Sequence, residues 1–316
     1  MINFWQKLSV PFTIMAPMDD VTDSVFRKVM LKAGRPDVFF TEFTNIDGLV
    51  HGGNGIPLRK LKFSFKEHPI VAQLWGTNLE NMEKSAKMVV KLGFDGIDIN
   101  MGCPVKDVIK KGAGSALIGN FDLAGNLIEA VKKGAKGLPV SVKTRLGRNI
   151  NIAEEWTEFL LKKDIAALTV HGRLAKDMSK GLASWEEIGK VVERKNKIAP
   201  NTLIIGNGDI NSYQEVLEKN EKYGVDGVMI GRGVFANPWV FKKENQLPTK
   251  QDLLKLLTYH IDIYKETWEE RKNFASLKKF FKMYVKGYDG ASELRMKLMK
   301  TKSLKEIKTI VESLDS

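Results

Sequence analysis

The chain has 316 residues, 43% of them hydrophobic, and carries a net charge of +12 from 50 Lys+Arg against 38 Asp+Glu. A single cysteine excludes a disulfide framework and any cysteine-rich zinc site, and it fits a reducing compartment, so a cytoplasmic protein is expected. No apolar run approaches the ~20 residues that span a bilayer, and residues 1–10 are too few and too mixed for a secretory leader, so no membrane association is expected.

In chain order, a short buried strand followed by an amphipathic helix recurs. Residues 12–16 precede a helix over 24–33. Residues 38–41 lead into a long polar loop around His51-Gly52-Gly53-Asn54-Gly55. Residues 70–74 precede a helix over 79–92. Residues 96–99 precede, after a long loop, a helix over 123–133. Residues 140–143 precede 153–163, residues 167–170 precede 185–193, and residues 203–206 precede 212–219. Residues 227–230 form the eighth strand. Eight such units with near-continuous apolar strands predict an α/β fold, a closed parallel (β/α)8 TIM barrel. An open doubly wound sheet is the alternative, disfavoured because no Gly-x-Gly-x-x-Gly follows the first strand.

The pattern stops near Phe241. Leu247-Pro248-Thr249 reads as a linker, with Thr249 or Asp252 as helix cap. Leu253, Leu254, Leu257, His260, Ile261 and Tyr264 then share one helical face. A second helix is expected over 275–286, broken by Gly287 and Gly290, a third from about Ala291 and a short last one from about Leu304. The expected division is a barrel over 1–245 and a small all-α domain over 246–316. The tail is the more basic part: residues 246–316 carry 15 Lys+Arg and 10 Asp+Glu, and between Arg271 and Lys308 there are 12 basic residues against three acidic ones. Such clustering points to a polyanionic partner, most often nucleic acid.

In a parallel barrel the chemistry lies at the C-terminal strand ends. There stand Pro17 and Met18 after the first strand, Gln73 on the third, Asn100 and Cys103 after the fourth, and Lys143 and Arg145 at the fifth. His171 and Arg173 follow the sixth strand, Asn207-Gly208-Asp209 the seventh and Gly231-Arg232-Gly233 the eighth. The last two glycine-bearing turns, with Arg232, suit a phosphate, of cofactor or of substrate. Cys103 sits in a turn where Gly102 permits a sharp bend and Pro104 blocks a helix, with Asn100 three residues before it. A lone cysteine is more often an inert small hydrophobe, and its company at the strand ends is what argues otherwise. Four histidines without ligand spacing argue against a metal site.

Ala16-Pro17-Met18, Asn100-Met101-Gly102-Cys103-Pro104, Gly112-Ala113-Gly114-Ser115-Ala116-Leu117, Ser141-Val142-Lys143-Thr144-Arg145, His171-Gly172-Arg173, Asn207-Gly208-Asp209 and Gly231-Arg232-Gly233 together resemble the tRNA-dihydrouridine synthase family. The resemblance runs through nearly the whole chain. Its specific part is the Cys103 turn followed by the Gly-Ala-Gly-Ser-Ala-Leu segment; the phosphate-side motifs are shared with other flavin barrels. It implies FMN in the barrel mouth, held by Pro17, Met18, Asp19, Gln73, Lys143, His171, Asn207, Gly208, Asp209, Gly231 and Arg232. It implies Cys103 as general acid, NADPH or NADH as electron source, and tRNA held by the C-terminal helices. Asn100 would read the uracil edge. Lys106, Lys110, Lys111, Arg145 and Arg173 would meet the RNA, with no protein partner required and a monomer expected. Leu174-Ala175 depart from the usual Thr-Arg, with Lys176 as a substitute, and Asp19-Asp20 stand where small residues are common. A flavin barrel acting on free pyrimidines, similar to a dihydroorotate dehydrogenase, would need neither the basic tail nor the lysine-rich loop. A non-catalytic RNA-binding protein would not need the strand-end residues.

Overall fold

Phe12–Met15 (β1) is buried at every position, as expected of a strand covered on both faces. The computed structural model describes residues 3–53, 55–244, 247–268 and 271–314. After β1 come α1 (Ser24–Ala33), β2 (Phe39–Phe40), β3 (Thr44–Asn45), α2 (Ile46–His51), α3 (Ile56–Lys60), β4 (Ile70–Trp75), α4 (Leu79–Leu92) and β5 (Gly96–Met101). Then follow α5 (Lys106–Lys110), α6 (Phe121–Ala135), β6 (Val140–Gly147), α7 (Ala153–Leu161), β7 (Ala167–Leu174), α8 (Trp185–Ile198), β8 (Leu203–Asn207), α9 (Tyr213–Tyr223) and β9 (Gly227–Ile230).

The strands pair in parallel in the order β1-β9-β8-β7-β6-β5-β4-β2. Ile14 bridges Val38 in parallel, and Val38 accepts from Met15 N–H and donates to Thr13 O, each at 3.1 Å, so β2 returns to β1 and the sheet closes. The eight-stranded parallel barrel expected from the sequence is therefore present, with β3 as an extra short pairing on β4. Local signals set the helix ends. Asn78, Asn120 and Ser184 cap α4, α6 and α8 by accepting the backbone N–H of the third helical residue, and Gly93 at φ 84° ends α4 in the left-handed region.

Three differences from the sequence reading matter. The second strand has only two residues, and the polar loop after it holds α2 and α3. Asn45 starts α2 by accepting Gly48 N–H at 2.8 Å, and Pro57 stands in the first turn of α3; helices this short among glycines show no readable period. Asn54 of that loop lies outside the described residues. Finally, β5, β6 and β7 run on to Met101, Gly147 and Leu174, so Asn100, Arg145, His171 and Arg173 are strand residues rather than loop residues.

Side chains alternate across each strand. The floor of the barrel is apolar: Phe12, Ile14, Val38, Phe40, Val71, Ala167, Ile205 and Met229 pack with Trp5. Gly227 is required there, since a Cβ on it would lie 2.3 Å from the Phe12 ring. On β4, β5, β6 and β7 the same interior face turns polar, at Gln73, Asp98, Asn100, Ser141, Lys143, Thr169 and His171.

Two compact units emerge. The first comprises Met1–Ser24, Pro36–Ile210 and Gln214–Gly231, the second Val25–Arg35, Asn211–Tyr213 and Arg232–Ser316. The functional division expected at 245/246 falls on residues outside the described ones. The second unit contains α10 (Gly233–Ala236), α11 (Lys250–Trp268), α12 (Phe281–Tyr284), α13 (Ala291–Met299) and α14 (Leu304–Glu312). Thr249 and Asp252 cap each other at the start of α11: Thr249 Oγ1 accepts Asp252 N–H at 3.1 Å, and the Asp252 carboxylate accepts Thr249 N–H at 2.9 Å. The expected helix over 275–286 is a 3-10 segment, Phe274–Phe280, followed by the short α12. Inside this unit Phe26 stacks on Phe280 with centroids 4.9 Å apart, and His260 Nδ1 meets Tyr284 Oη at 2.7 Å. Among the described residues no helix is long and apolar enough to cross a membrane.

Candidate active site

The Cys103 turn is built from the end of β5. Asn100 Oδ1 accepts two backbone N–H groups, Gly102 at 3.1 Å and Cys103 at 2.9 Å, and so closes the turn on its own side chain. The Gly112–Leu117 stretch packs against it: Ser115 N–H donates to Cys103 O at 2.9 Å. Gly114 has φ 61°, and a Cβ there would sit 2.7 Å from Cys103 O and 2.7 Å from Val108 Cγ1. The Gly-Ala-Gly-Ser segment thus lets two loops touch. Arg145 braces the turn from β6, its Nε donating to Gly102 O at 2.9 Å. The Cys103 thiol is half-buried. Burial pushes its pKa up, and the Val105 N–H, Arg145 and Lys143 only partly oppose this. At neutral pH it is a thiol, a proton donor rather than a nucleophilic thiolate.

Asn100 pairs in register with Lys143, and Lys143 with Thr169; Arg145 pairs with His171, and His171 with Asn207. The strand-end residues therefore form one continuous rim in the first unit. Lys143 is reachable through the mouth yet tightly surrounded. Loss of hydration, then repulsion from Arg145, lowers its pKa to about 8, with Asp98 and Cys103 pulling the other way. Across the rim, Arg173 Nη1 lies 3.0 Å from His171 Nε2. A guanidinium can only donate, so Nε2 accepts and the ring proton sits on Nδ1. Gly208, at φ 131°, lies so close that a Cβ would be 2.5 Å from Ala183 Cβ and 3.3 Å from His171 Cδ2. Gly231 is open, with Ala16 Cβ and Met18 Sδ the nearest atoms to a built Cβ, each at 3.6 Å. Asn207 Nδ2 donates to Met229 O at 2.7 Å. The Met18 turn is tied down by its own N–H donating to Thr22 Oγ1 at 3.0 Å, and Pro17 beside it is partly exposed. Arg232 is exposed and opens the last segment of the second unit.

Several expected roles need correction. Arg173 does not reach outward for RNA. Its side chain is 2% exposed, and its donors go to His171, to Lys180 O and Gly181 O, and to Asp209, whose carboxylate lies 2.5 Å away. Asp209 is correspondingly engaged with Arg173 and with Ala183 N–H at 2.8 Å, and so braces this pair of loops. Arg145, 7% exposed, also gives Nη1 to Leu174 O and Met178 O, and is a brace rather than an RNA contact. Asn100 has spent both lone pairs of Oδ1 on the turn, so the acceptor half of the expected uracil reading is withdrawn. Gln73 is fully buried and works behind the rim, not on it. Asp19 is exposed and paired with Lys60. Lys106, Lys110 and Lys111 stand exposed on and beside α5, with Lys111 Nζ 5.5 Å over the Trp75 ring.

Sequence reasoning misses Asp98 and Ser141, although Gly96, Asp98 and Asn100 alternate with Ile97, Ile99 and Met101. That period-two pattern marks one polar face on a strand that otherwise reads as wholly apolar. Asp98 is fully buried and its pKa is raised to about 6, burial outweighing hydrogen bonds from Ser141 and Gln73 and the nearby Lys143 charge. Among the described residues no three His, Cys, Asp or Glu side chains are grouped to hold a metal ion.

A family model described as dihydrouridine synthase matches residues 14–315. A protein of Staphylococcus aureus (strain Mu50 / ATCC 700699), named probable tRNA-dihydrouridine synthase, is 49% identical over 317 residues, covering 99% of this chain and 96% of its own. One of Bacillus subtilis (strain 168), named probable tRNA-dihydrouridine synthase 2, is 47% identical over 316 residues, covering 99% and 97%. Among solved structures, morphinone reductase superposes with a TM-score of 0.54 at 14% identity, over 79% of this chain and 90% of its own. An old yellow enzyme homologue from Zymomonas mobilis gives 0.52 at 16% identity, over 76% and 93%. These two likenesses are of fold.

Proposed function

The chain belongs to the dihydrouridine synthase family, a family of oxidoreductases, and on that premise we propose that it reduces the C5–C6 bond of uridine in tRNA, with FMN in the barrel mouth, NADPH or NADH as reductant and Cys103 as proton donor. The observation that carries the reading is a protonated, half-buried thiol on a braced turn, on the same rim as a desolvated lysine and a neutral histidine.

The rim fits a planar, phosphate-bearing anion. Lys143 and the His171 ring lie on the polar half of the barrel, Gly208 lets its loop pack against Ala183 beside His171, and Gly231 leaves room for backbone to approach a ligand. FMN would be held by Pro17, Met18, Lys143, His171, Asn207, Gly208 and Gly231, with Arg232, next along the chain, supplying charge-assisted bonds to the phosphate. FMN, when bound, would supply the hydride for C6 of the uracil. Lys143 balances negative charge at the rim while it keeps its proton. Cys103 delivers its proton to C5, and the braced turn fixes where the sulfur stands. Asn100 Nδ2 gives one hydrogen to Gln73 Oε1 at 3.0 Å and can donate the other to the base. The base must leave its stack to enter the mouth, and Lys106, Lys110 and Lys111 are placed to meet the phosphate backbone around it.

Mapping dihydrouridine in tRNA from a strain lacking this protein, with and without its gene restored, tests the reading. Loss of the modification at one or more positions, and its return, is expected; an unchanged map would overturn it. A second expectation concerns pH. The Lys143 ammonium is lost as pH rises through about 8, so the rate of nicotinamide-driven flavin reduction should fall on that alkaline limb. Lys143→Arg stays charged and should move the limb to higher pH. A limb that is identical in the two proteins would remove Lys143 from this role.

A further inference from the structure

Behind the rim a chain of hydrogen bonds runs from the barrel interior to the Cys103 turn. Asp98 Oδ1 accepts from Ser141 Oγ at 2.6 Å and Oδ2 from Gln73 Nε2 at 2.7 Å. Gln73 Oε1 accepts from Asn100 Nδ2 at 3.0 Å. Asn100 Oδ1 accepts the N–H groups of Gly102 and Cys103. Asp98, Gln73 and Ser141 are at most 1% exposed, and Asn100 is 5% exposed. We propose that Asp98 is a positioning residue for Cys103: its carboxylate sets the direction of the two amides between them and so fixes the turn that carries the thiol.

The argument is one of polarity. An ionised carboxylate can only accept, so Gln73 must offer Asp98 its NH2 end. Its oxygen then faces Asn100, which must answer with its own NH2 end. That leaves the Asn100 oxygen for the two turn N–H groups. Reversing any member would set donor against donor or acceptor against acceptor in a site closed to water, where an unmade hydrogen bond is expensive. At neutral pH the carboxyl is mainly ionised, its pKa of about 6 lying below 7. A buried carboxylate raised this far destabilises the fold as pH climbs past its unfolded value toward about 6, so keeping it as a mere packing residue would be unfavourable.

This inference rests on the reading of Cys103 as proton donor, but its test does not. Cys103 is the chain's one cysteine, so thiol alkylation of the flavin-free protein by iodoacetamide reports on that residue alone. Two variants break the relay. Asp98→Asn can present either end to Gln73, and Gln73→Met removes the linking amide while Ser141 still donates to the Asp98 carboxylate. Both should speed alkylation by roughly threefold or more. Both should also move the apparent thiol pKa down toward its ordinary value, as the released sulfur gains water. The groups facing the thiol, Arg145, Lys143, Asp19 and the Val105 N–H, are all retained, and the one side effect of Asp98→Asn, a Lys143 that gives up its proton more readily, would push the thiol pKa up, against the expected shift. Ser141→Ala removes the other donor to Asp98 and so raises its pKa further; assayed near pH 9, where the carboxyl stays ionised, the relay is whole and alkylation should run at the wild-type rate. An Asp98→Asn rate and pH profile equal to wild type would overturn the proposal. So would an equal change in Ser141→Ala, which would mark a general loosening of the barrel. Should Asp98→Asn fail to fold, a wild-type rate in Gln73→Met overturns the relay by itself. If alkylation responds as expected while Cys103→Ala still turns over at full rate, the relay stands and the proton-donor reading falls.

Discussion

Cys103→Ala should retain flavin, accept electrons from nicotinamide and bind tRNA, yet lose about 10²–10⁴-fold in the oxidation of pre-reduced enzyme by unmodified tRNA. That range corresponds to about 3–5.5 kcal/mol of transition-state stabilisation. The selectivity follows from geometry. The turn is closed by Asn100, Ser115 and Arg145 through the backbone of residues 102 and 103, not through sulfur, so alanine leaves the scaffold standing. The thiol itself is half-buried, and trimming it should shift stability by only about 1 kcal/mol. Burial holds the proton on sulfur at neutral pH, where a general acid must have it. Cys103→Ser keeps the shape but is a much weaker acid, and should recover little of the rate. Single-turnover kinetics decide the matter: a Cys103→Ala rate equal to wild type would end the proton-donor reading.

What the sequence discloses and withholds follows from the physics of each signal. Buried parallel strands are runs of apolar residues bounded by turns, and α4, α1 and β9 fall where the sequence places them because caps and glycines mark their ends. Two-residue β2 and the short helices α2 and α3 carry too few residues for a period to show. Strand ends read short at β5, β6 and β7 because polar residues end the apolar run, whereas the backbone pairing continues under them. That single error makes Asn100, Arg145 and Arg173 look like loop residues free to reach substrate. As strand residues they instead have most of their donors and acceptors taken up internally. Asp98 stays hidden for the converse reason: one carboxylate inside an apolar run reads as noise until its partners on β4 and β6 are known.

The basic second unit should govern tRNA affinity, and the structure dictates how to test this. Truncation from Leu247 onward is the wrong experiment, because the second unit begins earlier in the chain and Phe26 packs on Phe280 and near His260 within it. Charge reversal at its surface keeps that packing. A cavity of about 410 Å³ is lined by Lys278, Lys279, Lys282, Arg295 and Lys300. Lys278 gives its ammonium to Met299 O and Thr301 O, and Arg295 gives Nη1 to Val285 O, so both hold the helices together and should be spared. Lys282 and Lys300 are exposed. Lys282→Glu with Lys300→Glu lowers the net charge of +12 by four while leaving the core untouched. If each lysine meets one phosphate, affinity should fall roughly tenfold per reversal at low salt. The slope of log affinity against log salt should flatten by about 1 for each phosphate no longer neutralised, as fewer counterions are released. Flavin content and melting temperature should stay at wild-type values. Wild-type tRNA affinity and salt slope in the double variant would place the RNA on another face of the protein.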